Sequence, residues 1–228
     1  MTKFRTEKDS LGEVKVPINA YYGAQTQRAV ENFEIGWPME PSLILPYVIL
    51  KKAAAMTNHA QKLLSEKLAN AIMKACDEIT DHPENFLDQF PVPVFQTGSG
   101  TQTNMNVNEV IANKANEILG GKLGEYKFVH PNDHVNMSQS TNDTFPTAIL
   151  VGCVLSVEDN LLPALKQLKK SLEKKSKEFD NIIKVGRTHL QDATPIRLGQ
   201  EFSGYASMIS HDIHRINSAI EECTQLPI

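Results

Sequence analysis

The sequence predicts a mainly α-helical protein. Residues 1–140 form an N-terminal helical domain with a small extended or hairpin arm. Residues 141–228 form the first two long antiparallel helices of a central helical bundle. Three observations carry this reading. Apolar residues recur every three or four positions over two long stretches in the last third of the chain. Proline and glycine gather at the start and in punctuating loops. Polar loops rich in hydroxyls and amides fall between the helical segments.

Residues 1 to about 45 contain short apolar runs such as Val14-Lys15-Val16 and a Tyr21-Tyr22-Gly23 turn, an extended arm with a small hairpin. From about Leu45 to Thr80, Val48, Leu50, Ala53, Leu63, Leu64, Leu68, Ile72 and Ala75 keep helical spacing, so one or two helices are expected until Asp81-His82-Pro83 breaks them. The prolines of Phe90-Pro91-Val92-Pro93-Val94-Phe95 exclude a helix there. Asn104 to Leu119 reads as a helix closed by Gly120-Gly121. The two long helices run from about Pro146 to Phe179, bent near Pro163, and from about Pro195 to Gln225, with Thr194-Pro195 as N-cap and first helical residue. At 1.5 Å per residue each spans about 45 Å. Two such helices in one hairpin cannot cover each other's apolar stripes, so further helices or other subunits are expected against them.

A net charge of −4 gives no basic excess for nucleic acid, and 41% hydrophobic with 22% charged residues is ordinary for a globular chain. Cys76, Cys153 and Cys223 are scattered, with no C-x-x-C pair, so neither a disulfide framework nor a zinc site is expected. Cys153 and Cys223 fall on apolar stripes and read as packed free thiols. Met1-Thr2-Lys3-Phe4-Arg5 lacks the apolar core of a signal peptide, and no apolar run approaches the roughly 18–20 residues that span a bilayer. The expected location is the cytoplasm, or the mitochondrial matrix for a processed form.

Three loops hold the candidate functional residues. Gly98-Ser99-Gly100-Thr101 lets backbone approach a ligand while hydroxyls and N–H groups clasp a carboxylate or phosphate. No Lys-Ser/Thr follows in register, so it is not a Walker A loop. The amides Asn104, Asn106, Asn108 and Asn113 follow it. The second loop, His130 to Asp143, carries Ser140-Thr141-Asn142-Asp143, which also suits a helix cap. His130 precedes a proline and is not expected to share a turn with His134, so a metal site is not expected. The third loop is Gly186-Arg187-Thr188-His189-Leu190-Gln191-Asp192-Ala193-Thr194-Pro195. It puts a hydroxyl and an imidazole together at the expected mouth of a helix, where an anion is favoured and a histidine moves protons near neutral pH. Asp192 there can pair with Arg187. Together these loops describe an acid-binding helical enzyme.

Gly98 to Glu109, His130 to Asp133, Ser138 to Asp143 and Gly186 to Pro195, in this order, closely resemble class II fumarases of the aspartase/fumarase superfamily. Thr188-His189 favours a fumarase over aspartate ammonia-lyases, which usually carry Thr-Gln there. The resemblance implies reversible hydration of fumarate to (S)-malate without metal or organic cofactor. It implies that Ser99, Gly100, Thr101, Ser140, Thr141, Asn142 and Thr188 bind the substrate dicarboxylate, and that His189 relays a proton through a bound water. It assigns Lys127, His130, Pro131, Asn132 and Asp133 to a second dicarboxylate site. Lys127 stands where the family often has arginine, Met137 where many relatives have lysine, and Thr141 where serine is frequent. Family chains are roughly double this length, with a serine base in a Gly-Ser-Ser-Ile-Met-Pro-Gly-Lys-Val-Asn-Pro-like segment that the 228 residues lack. The full-length chain is expected to be a homotetramer, and these residues alone are expected to be inactive. The alternatives are another superfamily lyase, such as an aspartate ammonia-lyase, and a non-catalytic helical assembly module.

Overall fold

A computed structural model describes residues 3–227. Helices dominate, and two small antiparallel hairpins complete the fold. The chain divides into two compact units, the first reaching to Gly152 and the second covering Cys153–Gln225.

The expected N-terminal arm is a true hairpin. Strand β1 (Phe4–Asp9) pairs with β2 (Gly12–Pro17), with Phe4 opposite Pro17 and Asp9 opposite Gly12. Val14 and Val16 turn inward onto Ala20 and Ala24. The Arg5 guanidinium pins the following segment by donating to the carbonyls of Pro17 and Ala20, both at 2.8 Å, and of Tyr22 at 2.9 Å.

The arm also holds a helix that the sequence reading did not anticipate, α1 (Ala24–Asn32). Its first turn has no local capping side chain. Two remote carboxylates supply the cap instead. Glu7 Oε2 accepts the Ala24 N–H at 3.0 Å, while Glu109 accepts from Gly23 and Gln25 at 2.9 Å and from Thr26 at 3.0 Å. A helix whose start is satisfied by distant chain leaves no local start signal.

The expected helical stretch from 45 to 80 is two helices, α2 (Pro41–Ala60) and α3 (Glu66–Asp81). Helix α4 runs Thr101–Ile118 and ends before Gly120, whose φ of 80° suits glycine. The core lies among α2, α3 and α4, where Ile44, Tyr47, Val48, Ile72, Ala75, Ile79, Val107, Val110 and Ile111 are buried. Helix α4 is buried nearly all round, and its amides bracket loop backbone. Asn116 accepts from Phe128 and Val129 at 2.9 and 3.2 Å and donates to Val129 O at 2.7 Å. Asn113 donates to Tyr21 O at 2.7 Å and accepts from Gly124 at 2.8 Å.

The first long helix begins at Thr141, five residues before the expected Pro146. It comprises α5 (Thr141–Ser156), a π-helical turn (Val157–Leu161) and α6 (Leu162–Glu178). The irregularity expected near Pro163 is this π turn, just ahead of the proline ring that cannot pack onto a regular preceding turn. The run Thr141–Glu178 contains an 18-residue window of mean hydropathy 1.6 and is long and apolar enough to cross a membrane by length and composition. That corrects the expectation that no such run exists. Scattered Thr, Ser and Gly break the run of apolar letters without lowering its average much. The same composition suits a bundle helix packed on several sides.

In the second unit, β3 (Ile183–Thr188) and β4 (Gln191–Arg197) form a hairpin before α7 (Leu198–Glu222). Thr194 and Pro195 therefore lie inside a strand, and the expected N-cap there is wrong. Pro195 sits opposite Val185, which a two-stranded ribbon tolerates because every strand is an edge. Ser176 Oγ donates to Gly199 O at 2.8 Å, and Lys169 Nζ to Ser210 Oγ at 3.1 Å, so α6 and α7 run antiparallel. Phe179 meets Phe202 edge-on at 5.2 Å. Within α7 only Gly199 and Ala206 are buried, and Tyr205 and Met208 remain exposed. The helix pair leaves its own stripe open, as its length predicts. Cys153 is exposed and Cys223 half-buried, so of the three thiols only Cys76 is packed away.

Candidate active site

The first unit brings two of the three loops together. Gly100 holds φ at 72° immediately before α4, and a Cβ there would lie 2.3 Å from the Phe145 ring. This close approach explains why glycine stands at the turn. Ser99 and Thr101 flank it with their hydroxyls 3.0 Å apart. Ser140 caps α5, its Oγ accepting the Asn142 N–H at 3.3 Å, so the cap reading of that segment is correct. Asn104, one turn into α4, donates from Nδ2 to Thr141 Oγ1 at 2.8 Å. The starts of α4 and α5 therefore converge, and their hydroxyls and the N–H groups not taken by Gln96 and Ser140 offer donors, with the Asp143 carboxylate also in the first turn of α5. Such a surface suits a carboxylate.

Behind this surface lies a lysine that the sequence reading missed. Lys51 is fully buried on α2 and donates to Asn136 Oδ1 at 2.9 Å and Gln139 Oε1 at 3.0 Å. Burial pulls its pKa down to about 7. A signal was present, because Ile44, Tyr47, Val48, Lys51, Ala55 and Asn58 form the buried stripe of α2 and place a lysine in phase with apolar residues.

Thr188 and His189 lie in the second unit, at the tip of the β3–β4 hairpin. His189 and Leu190 form its two-residue turn with φ of 47° and 63°. Positive φ at both positions is the twist-matched hairpin turn, normally built from Asn-Gly. Non-glycine residues held there store backbone strain of about 1–3 kcal/mol each. The imidazole is thus exposed on a strained turn, and the expected helix mouth with its dipole is not its setting. Arg187 pairs with Asp192 across the hairpin at 3.1 Å, as anticipated.

The His130 segment departs from expectation. Pro131–Val135 forms a π-helical turn, and His130 and His134 close it together. The His130 N–H donates to His134 Nδ1 at 2.8 Å, while the His134 N–H returns to His130 O at 3.1 Å. Proline at the first position of a turn gives up an N–H that needs no partner, so it starts the turn rather than preventing it. Asp133 N–H donates to His130 Nδ1 at 3.3 Å, and Asp133 Oδ2 also lies 3.3 Å from that nitrogen. Asn132 and Asp133 are exposed and Pro131 is buried. Lys127 lies over the Phe128 ring at 5.1 Å.

These features meet known proteins in one place. Residues 12–228 match the family model described as "Lyase", and the chain belongs to that family. It is 53% identical over 229 residues to the mitochondrial fumarate hydratase of Rhizopus oryzae, covering 99% of this chain and 46% of that protein. It is 54% identical over 227 residues to the class II fumarate hydratase of Campylobacter jejuni, covering 99% and 49%. Among solved structures, the recombinant class II fumarase of Schistosoma mansoni superposes with a TM-score of 0.92 at 42% identity, covering 98% of this chain and 47% of that one. The fumarate lyase:delta crystallin structure from Brucella melitensis gives 0.94 at 46% identity, covering 98% and 52%. The chain spans about half the length of the curated relatives it matches.

Proposed function

We propose that the full-length protein carrying this chain catalyses the reversible hydration of fumarate to (S)-malate. The observation that carries the reading is the 2.8 Å hydrogen bond from Asn104 to Thr141, which joins two hydroxyl-bearing helix starts into one donor surface. Identity above 50% to fumarate hydratases along nearly the whole chain supports it. In the hydration direction, a water gives up one O–H proton to the relay as its oxygen bonds to one alkene carbon, and the displaced electron pair passes to the other. That carbanion spreads into its neighbouring carboxylate, which becomes dianion-like until the carbon is protonated. Ser99, Gly100, Thr101, Ser140, Thr141, Asn142 and Thr188 are the residues proposed to surround the diacid, their hydroxyl, amide and free N–H donors holding it through this change. His189 is the group proposed to move a proton through a bound water.

Lys127, His130, Pro131, Asn132 and Asp133 are proposed as a second dicarboxylate site. Assembly as a homotetramer is proposed to cover the open faces of α6 and α7, and the cytoplasm or the mitochondrial matrix is the proposed location. The test is an assay of purified full-length protein on fumarate and on aspartate. Malate formation without ammonia release supports the reading. Ammonia release from aspartate, with no hydration of fumarate, assigns the protein to the ammonia-lyases instead.

A further inference from the structure

Among the described residues, the Lys51 ammonium meets no carboxylate and donates only to the amide oxygens of Asn136 and Gln139. A protonated lysine has donors and no acceptor, so it holds the Oδ1 end of Asn136 toward itself. The same oxygen receives Asn104 Nδ2 at 3.1 Å and Asn108 Nδ2 at 3.3 Å. Both asparagines must therefore present their NH₂ ends, which leaves Asn104 Oδ1 and Asn108 Oδ1 buried without partners. Two orphaned buried acceptors are unfavourable, and an ordinary packing role gives no reason for them. They follow directly if the lysine sets the sense of the whole chain.

The chain ends at a hydroxyl. Asn104 Nδ2 donates to Thr141 Oγ1, so that oxygen is used as an acceptor. Among the described residues the Thr141 hydroxyl proton meets no acceptor, whereas Thr144 and Thr147 return theirs to carbonyls four residues back. We propose that Lys51 is a positioning residue which, through Asn136 and Asn104, sets the Thr141 hydroxyl as a donor to a carboxylate oxygen of the bound dicarboxylate. This rests on the dicarboxylate reading above.

The test is a double-mutant cycle in the full-length protein, read by calorimetry with succinate, a saturated dicarboxylate that cannot be hydrated. Thr141→Val and Lys51→Met are each expected to weaken succinate binding about 10-fold or more, the loss of one hydrogen bond to a charged group. The double variant is expected to bind no more weakly than Thr141→Val alone, and Lys51→Arg to recover most of the affinity. If Lys51→Met does not fold, Asn104→Asp replaces the donor between Asn136 Oδ1 and Thr141 Oγ1 with an acceptor and is expected to lose affinity by the same factor. Losses that simply add in the double variant, or unchanged affinity in Asn104→Asp, overturn the proposal while fumarate turnover by the wild type leaves the functional reading standing. A wild-type protein that neither binds succinate nor hydrates fumarate overturns both.

Discussion

The Glu109 carboxylate accepts the backbone N–H of Thr26 at 3.0 Å, together with those of Gly23 and Gln25. One buried acid on α4 thus closes the start of α1, a helix formed more than eighty positions earlier in the chain. Burial pushes this carboxyl up, and the N–H donors oppose that shift. Glu109→Ala leaves buried donors unpaired at a helix start. It is expected to lower unfolding free energy by about 3 kcal/mol or more. Urea denaturation of the two proteins measures this, and an unchanged midpoint would show that α1 does not depend on the cap.

Gly100→Ala confronts two obstacles, the positive φ of 72° and the Phe145 ring 2.3 Å from the added Cβ. The expected outcome is a loss of about 1–3 kcal/mol. Because Ser99 and Thr101 flank the turn, succinate affinity is expected to fall with it. A variant with full affinity and full stability would mean that the turn relaxes freely.

His134 accepts the His130 N–H on Nδ1, which needs a neutral ring, and burial lowers its pKa below the ordinary value of 6.5. The sign follows. With a folded value below the unfolded one, the contribution to stability is complete above about pH 6.5 and is lost as pH falls through the lower folded value. Thermal melts between pH 5 and pH 7.5 are expected to show a fall on the acid side that shrinks in His134→Gln. Identical pH profiles for the two proteins would contradict this.

The Arg187–Asp192 pair is exposed on both sides, and such pairs contribute about 0–1 kcal/mol. Asp192→Asn is therefore expected to leave the melting temperature nearly unchanged. A drop of many degrees would show that the pair is buried by a partner in the assembled protein.

Much of this architecture was legible because it is periodic or locally punctuated. The stripes of α2 to α4, the stop at Asp81-His82-Pro83 and the Ser140 cap all depend on residues a few positions apart. The features that were not legible depend on distant chain. Helix α1 takes its cap from Glu109, and Lys51 acquires meaning only when Asn136 and Asn104 face it. Thr194-Pro195 has the chemistry of a helix start, yet pairing with the β3 strand at Val185 decides its conformation. His189 was found by residue type and resemblance, but its placement on a strained hairpin turn could not be read from the pattern His-Leu, which lacks the usual Asn-Gly signal.

The central claim is tested most directly by fumarate hydration in full-length protein carrying His189→Asn, a change that keeps a polar group on the turn and removes the imidazole. The account predicts a fall in kcat of about 10²-fold or more with the melting temperature preserved. Malate formation at the wild-type rate by a folded His189→Asn protein would contradict it.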